Sequence, residues 1–175
     1  MTTTDPGRLR IYIGHGASGS SVSMRPWADG LRARGFDATA IDLPKRKAED
    51  AVDALLAIAP PGPDIVIGGQ SYGGRVASLA AAAHPYAGLL LLSYPLHRPG
   101  HPEALRTGHW PAIRCPVLLL SGEADPFARI DLLRAAVPLL GDAELVTYPR
   151  VGHGLTPVLE HALDRAASFL ARIRG

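Results

Sequence analysis

The sequence predicts a single α/β domain, residues 1–175, built on a largely parallel sheet of about six strands. Three observations carry that expectation. Short apolar runs alternate with longer amphipathic ones along the chain, the order expected when strands are joined by crossover helices. The run Asp64 to Gly69 is short and apolar, as a strand covered on both faces should be. With 47% hydrophobic and 19% charged residues, a chain of this size buries roughly 70% of its unfolded surface in one core.

The elements follow in order. Leu9 to Gly14 reads as a first strand, ending in the Gly/Ser-rich loop HGASGSS. Met24 to Arg34 reads as a helix stopped by Gly35. Phe36 to Leu43 alternates with a period of two, which suits a strand with one wetter side near a sheet edge. Ala48 to Ala59 is a helix closed by the breaker PPGP, and Asp64 to Gly69 is the third strand. The Ala-rich stretch Tyr72 to His84 is helical and stops before Pro85. Gly88 to Ser93 and Pro116 to Ser121 are strands four and five. Arg129 to Leu140 is a helix that Pro138 should end early. Glu144 to Tyr148 is a sixth, alternating strand. From Leu155 to Ile173, apolar residues recur at steps of three and four, with Arg165, Arg172 and Arg174 expected to face solvent.

The charge balance is even: 18 basic against 16 acidic residues, net +2. That argues against nucleic acid or an anionic membrane as the main partner. Nearly all the basic residues are Arg, and Ala, Gly and Pro abound, which fits a GC-rich bacterial coding sequence. Cys115 is the only cysteine, so the chain forms no internal disulfide and no thiol metal cluster. The opening MTTTDPGRLR lacks the pattern of a secretory leader. Apolar stretches such as Leu89 to Leu92 fall far short of the roughly 18–20 residues that span a bilayer. The cytoplasm is the expected location.

The strongest local signal is Gly68-Gly69-Gln70-Ser71-Tyr72-Gly73-Gly74, between the third strand and the Ala-rich helix. It holds Gly-x-Ser-x-Gly as Gly69, Ser71 and Gly73. A serine at the apex of so abrupt a strand-to-helix turn takes a strained conformation. Side chains two residues to either side would collide, so glycine is required there. The turn pushes the hydroxyl out at the C-terminal edge of the sheet, where ligands collect in open α/β folds. A Walker loop is excluded, since no Gly-Lys-Ser/Thr follows.

A serine hydroxyl needs a base, and the base needs an orienting carboxylate. The fifth strand runs into Ser121-Gly122-Glu123-Ala124-Asp125-Pro126, the sixth into Pro149-Arg150-Val151-Gly152-His153-Gly154. A carboxylate and a histidine thus each follow a strand, on the same edge as Ser71. Asp125 is preferred to Glu123 because it lies deeper in its loop. His153 is flanked by glycines that suit a side chain reaching over the nucleophile. Backbone N–H groups of Tyr72 and Ala17 are the expected oxyanion donors. His15, His84, His97, His101, His109 and His161 are expected to be structural or exposed. His97, His101 and His109 share a loop, with a metal site there a minor alternative. Trp27, Trp110 and Phe127 are candidates for lining the pocket.

Together these motifs resemble the α/β-hydrolase superfamily across nearly the whole chain: strand–HGASG, strand–GQSYGG, strand–SGEADPF, strand–VGHG. More narrowly, GGQSYGGRVAS, LLLLSYPLHRPGHPEALRTGHW and LLLSGEADPFA resemble a small branch related to dienelactone hydrolases. That branch is also related to the hydrolase-like domain of a histone-acetyltransferase regulatory subunit. The resemblance implies triad roles for Ser71, Asp125 and His153, and a minimal α/β-hydrolase fold with strand order 2-1-3-4-5-6. Two departures matter. Dienelactone hydrolases proper use a cysteine where Ser71 stands, so their substrate is not implied. Only about 20 residues separate Tyr94 from Pro116, too few for a helical cap domain.

The sequence therefore points to a serine hydrolase acting on small ester or thioester substrates through an acyl-enzyme. It calls for no metal and no organic cofactor. The alternatives are a perhydrolase or acyltransferase with the same triad, or a non-catalytic interaction module that keeps the fold.

Overall fold

Every strand of the sheet runs the same way, so all the loops that leave strand C-termini gather on one edge. The computed structural model describes residues 7–175. Residues 1–6, most of the opening stretch read for a leader, lie outside the described residues. The strands are β1 (Arg10–Gly14), β2 (Asp37–Ile41), β3 (Gly62–Gln70), β4 (Tyr86–Leu92), β5 (Val117–Gly122) and β6 (Ala143–Tyr148). The helices are α1 (Arg25–Ala33), α2 (Ala48–Ile58), α3 (Tyr72–Ala83), α4 (Ile130–Ala136) and α5 (Leu159–Ile173). Sheet order is β2-β1-β3-β4-β5-β6, the order the resemblance implied, with each neighbouring pair parallel.

The period of two along each strand sorts its side chains between two cores. Ile65, Ile67, Leu89, Leu91, Val117 and Leu119 face α2, α3 and α4. Val66, Leu90, Leu92, Leu118 and Leu120 face α1 and α5. Leu89 to Leu92 are at most 1% exposed, and each such side chain contributes roughly 1.5–3 kcal/mol by leaving water. β2 is an edge strand, as its alternation suggested. Ala38 turns to the α1–α5 side, Ile41 to the other, and Thr39 is exposed.

Helix ends follow the local chemistry. After α1, Gly35 takes φ +87° and donates to Arg32 O at 2.9 Å, while Phe36 N–H donates to Leu31 O at 3.1 Å. That pair of bonds is a Schellman closure, which glycine accommodates without strain. Pro138 ends α4 as expected: the chain tightens into a 3-10 turn over Val137–Leu139. The last helix differs from expectation. Pro157 falls in a 3-10 turn over Thr156–Val158, and α5 begins only at Leu159. Arg165 and Arg172 are not simply solvated; both converge on Glu144 of β6.

Between β4 and β5 the chain forms no α-helix, only a 3-10 turn over Trp110–Ala112. No cap domain covers the C-terminal edge of the sheet. Among the described residues no helix is long and apolar enough to cross a membrane.

Candidate active site

The turn from β3 into α3 is made by backbone pressed on backbone. A Cβ on Gly69 would stand 2.5 Å from Gly14 O and 2.7 Å from Gly73 C. One on Gly73 would stand 2.5 Å from Gly14 O and 2.8 Å from His15 O. Such contacts admit glycine alone. Between them Ser71 sits at φ +49°, ψ −112°, a conformation that costs an L residue roughly 1–3 kcal/mol. Ser71 N–H donates to Leu92 O at 2.8 Å and Gly73 N–H to His15 O at 3.0 Å. These bonds tie the turn to β4 and to the end of β1, holding the serine side chain at the sheet edge.

The loops after β5 and β6 are knitted together. Glu123 N–H donates to Tyr148 O and Ala124 N–H to Val151 O, both at 2.9 Å. Gly122 permits this approach, because a Cβ there would collide with the Val151 and Gly152 carbonyls. Asp125 is thereby brought opposite His153, and its side chain is fully buried. Its Oδ1 accepts Phe127 N–H at 2.8 Å, and its Oδ2 lies 2.8 Å from His153 Nδ1. His153 Nε2 lies 2.8 Å from Ser71 Oγ. A buried carboxylate accepts only, so Nδ1 carries the proton and Nε2 is left to accept from the serine hydroxyl. The Phe127 ring lies against the imidazole, centroids 4.2 Å apart. Three residues from three strand-end loops thus form one continuous hydrogen-bonded chain.

Glu123, the rival carboxylate, points elsewhere: its Oε1 accepts from Thr147 Oγ1 at 2.7 Å and Arg134 Nη2 at 3.1 Å. The glycines beside His153 do not have the steric role expected of them. A Cβ on Gly152 or Gly154 would meet nothing within 4 Å, and neither has positive φ.

Ser71 opens onto a cavity of about 620 Å³ whose lining includes Gly16, Ala17, Ser18, Tyr72, Phe127 and His153. Tyr72 is the first residue of α3, so its N–H has no intrahelical acceptor. Gly16 to Gly19 closes a turn, Gly19 N–H to Gly16 O at 3.0 Å, with Ala17 exposed at its tip. Of the aromatic candidates only Phe127 lines the cavity. Trp27 packs on the α1–α5 side of the sheet, and Trp110 lies wholly buried against Tyr94. Both are held inside by the apolar faces they complete.

Two histidines expected to be structural act as buried braces for the site loops. His15 Nδ1–H donates to Gly16 O at 2.7 Å, and its Nε2 accepts Leu43 N–H at 3.0 Å. His97 Nδ1–H donates to Arg98 O at 2.8 Å, and its Nε2 accepts Arg129 N–H at 3.1 Å. His101 turns to Glu103, and His109 to Ser78 Oγ at 2.8 Å. The three histidines of the β4–β5 segment therefore engage separate partners, and no shared metal site forms from them. Burial pushes His109 down to about 4, and the nearby Arg75 charge adds to the effect. Burial likewise pushes the Cys115 thiol up to about 11, far from the site.

Sequence reasoning missed the cations of the cavity wall, Arg46, Lys47, Arg75 and Arg106. One signal was available: Arg75 is the sole charged residue of α3 and lies one helical turn after Ser71.

The fold and the edge-clustered loops define an α/β-hydrolase architecture. A family model described as an alpha/beta hydrolase domain matches residues 39–171, and the chain belongs to that family. No curated protein matches it in sequence. Among solved structures it is similar to a monoacylglycerol lipase from Paleococcus ferrophilus, TM-score 0.77 at 15% identity, covering 95% of this chain and 96% of the lipase. It is similar to an esterase from Pyrococcus furiosus, TM-score 0.78 at 16% identity, covering 97% of this chain and 83% of the other. It also resembles SOBER1 of Arabidopsis thaliana, TM-score 0.73 at 17% identity, covering 96% and 100% respectively. At such identities the likeness is one of fold.

Proposed function

We propose that the chain is a serine hydrolase that cleaves small ester or thioester substrates through an acyl-enzyme. The observation that carries the reading is the unbroken relay from Asp125 through His153 to Ser71, with both links at 2.8 Å. The lipase and esterase names of its structural neighbours agree with it.

In this mechanism Ser71 Oγ attacks the acyl carbonyl carbon while His153 Nε2 takes its proton. Asp125 fixes the imidazole tautomer and stabilises the imidazolium. The N–H groups of Tyr72 and Ala17 receive the oxyanion, and losing one such donor typically costs about 10²–10³ in rate. The imidazolium then protonates the leaving alcohol or thiol. Water, activated by the same His153, releases the acid and restores Ser71. With no cap domain over the edge, the site favours short or flexible acyl groups over long lipids.

The test is labelling by a fluorophosphonate probe beside a Ser71→Ala control, followed by nitrophenyl esters of increasing chain length. Labelling that depends on Ser71, with rates falling toward long chains, is the expected outcome. A protein that stays unlabelled and inert is an interaction module instead. Rates that climb steadily to long acyl chains overturn the substrate statement.

A further inference from the structure

Several arginines of this protein are matched with carboxylates: Arg10 with Asp64, Arg34 with Asp164 and Glu160, Arg129 with Asp131. Around the cavity at Ser71, among the described residues, only Arg75 is so matched. Arg46, Lys47, Arg75 and Arg106 line it, and Glu49 is the one carboxylate in that lining. Glu49 Oε1 pairs with Arg75 Nη2. The other end of that guanidinium, Nη1, is buried without a hydrogen-bond partner among the described residues and is closed to the cavity, so the cation left open to a ligand is Arg106. Arg106 Nη1 reaches only the Pro95 carbonyl, at 3.5 Å, the outer limit of a hydrogen bond. Burial, and then the like charge of Arg75, hold the Arg106 guanidinium below the usual arginine range.

Half-buried cations are ordinarily paired, because an unpaired one forfeits hydration without a compensating partner. Here two guanidiniums repel one another across a cavity whose lining carries four cations and one anion. Arg75 is four residues after Ser71 on α3, a rise of about 6 Å. Arg106 lines the same cavity as Ser71, so an anion held by it would belong to the molecule whose carbonyl meets Ser71 Oγ. The planar guanidinium fork suits an oxyanion, which takes two N–H bonds at once.

We infer that the substrate carries an anionic group, a carboxylate or phosphate a few bonds from the scissile carbonyl, received by Arg106 with the Arg75 charge beside it. This rests on the serine-hydrolase reading above and names the substrate class of the same site. Arg46 and Lys47 add to the field that draws such a molecule into the cavity.

The test compares mono-4-nitrophenyl glutarate with its neutral methyl ester, each corrected for spontaneous hydrolysis. A 3-phosphonopropionate nitrophenyl ester separates phosphate from carboxylate preference. The anionic esters are expected to show kcat/KM about 10- to 100-fold above the neutral one at low salt, with the advantage shrinking as ionic strength rises. Arg106→Gln lowers the anionic-to-neutral ratio about tenfold. Arg32→Gln, at a surface pair with Asp29, changes net charge equally and leaves the ratio where it was. Equal rates, or a preference for the neutral ester, overturn the inference. A calorimetric titration of Ser71→Ala with monomethyl glutarate reads the anion site without turnover. Binding that Arg106→Gln abolishes supports the site even if no ester is cleaved, in which case the hydrolase reading alone falls. Absence of binding overturns the site.

Discussion

The turn at Gly68–Gly74 and the long segment between β4 and β5 both shape the cavity, but by opposite means. The turn is fixed by sterics within a few residues: Gly69, Gly73 and the end of β1 touch backbone to backbone. The β4–β5 segment has almost no regular structure and is held by side chains reaching distant backbone. Tyr94 OH donates to Arg106 O at 2.6 Å, Arg129 N–H donates to His97, and His109 meets Ser78. The first device offers no relief to a substitution. The second spreads its strength over several bonds of roughly 1 kcal/mol each, so it should weaken by degrees.

Gly73→Ala is expected to break the turn outright. Its new methyl would stand 2.5 Å from Gly14 O and 2.8 Å from His15 O, and both carbonyls belong to β1 and its brace. A loss of about 5 kcal/mol or more is expected, read as absence of a cooperative melting transition together with loss of the proposed esterase activity. A folded, active variant would show that the turn can yield, and the contrast between the two regions would vanish.

Asp125→Asn should separate chemistry from folding. The amide can keep a hydrogen bond to Phe127 N–H or to the ring, yet it favours the wrong tautomer of His153. The expected loss is about 10³–10⁴ in kcat/KM, roughly 4–5.5 kcal/mol of transition-state stabilisation. The melting temperature should move far less than in Gly73→Ala. Activity within tenfold of wild type would sink the proposed role of Asp125.

The same contrast explains what the sequence made legible. Six strands, the edge position of β2 and the early end of α4 were readable, because period-two alternation and Pro138 act on their own neighbours. That Ser71, Asp125 and His153 would meet was readable because each follows a strand, and parallel strands deliver their ends to one edge. The cation wall was not. Arg46 and Lys47 follow β2, Arg75 is on α3, and Arg106 is in an irregular segment, so only the folded chain brings them together. The structural role expected of His15 and His97 is what they have, but their partners escaped for the same reason. Each bonds a backbone N–H about 30 residues away, at Leu43 and Arg129, which leaves no local pattern. Trp27 and Trp110 misled because large aromatics suit pocket and core alike, and here the core took both.

His97→Leu sharpens the comparison from the other side. The substitution preserves apolar bulk but leaves Arg98 O and Arg129 N–H without their partner. A cost of about 2–3 kcal/mol is expected from urea denaturation. The turn Asp125–Arg129 also loses a tether beside Phe127, which lies on His153, so kcat/KM should fall roughly tenfold. If stability were unchanged, the segment would not be braced as described.

The smallest effect belongs to His109, and it depends on pH. Its folded-state value of about 4 lies below the ordinary 6.5, so between those values the unfolded chain binds more protons. Stability from the neutral ring is therefore complete above about pH 6.5 and is lost as pH falls toward 4. Allowing for partial exposure, the loss over that window is of order 1–2 kcal/mol. Melting curves of wild type and His109→Gln at pH 7 and pH 4.5 isolate it, because other carboxylates and histidines titrate in both proteins. The glutamine amide can still bond Ser78 Oγ but cannot take up a proton. The variant is expected to lose less on acidification, by a few degrees. A parallel decline in both proteins would mean that the ring takes up its proton as readily in the fold as in the unfolded chain, and that burial beside Arg75 does not hold it neutral.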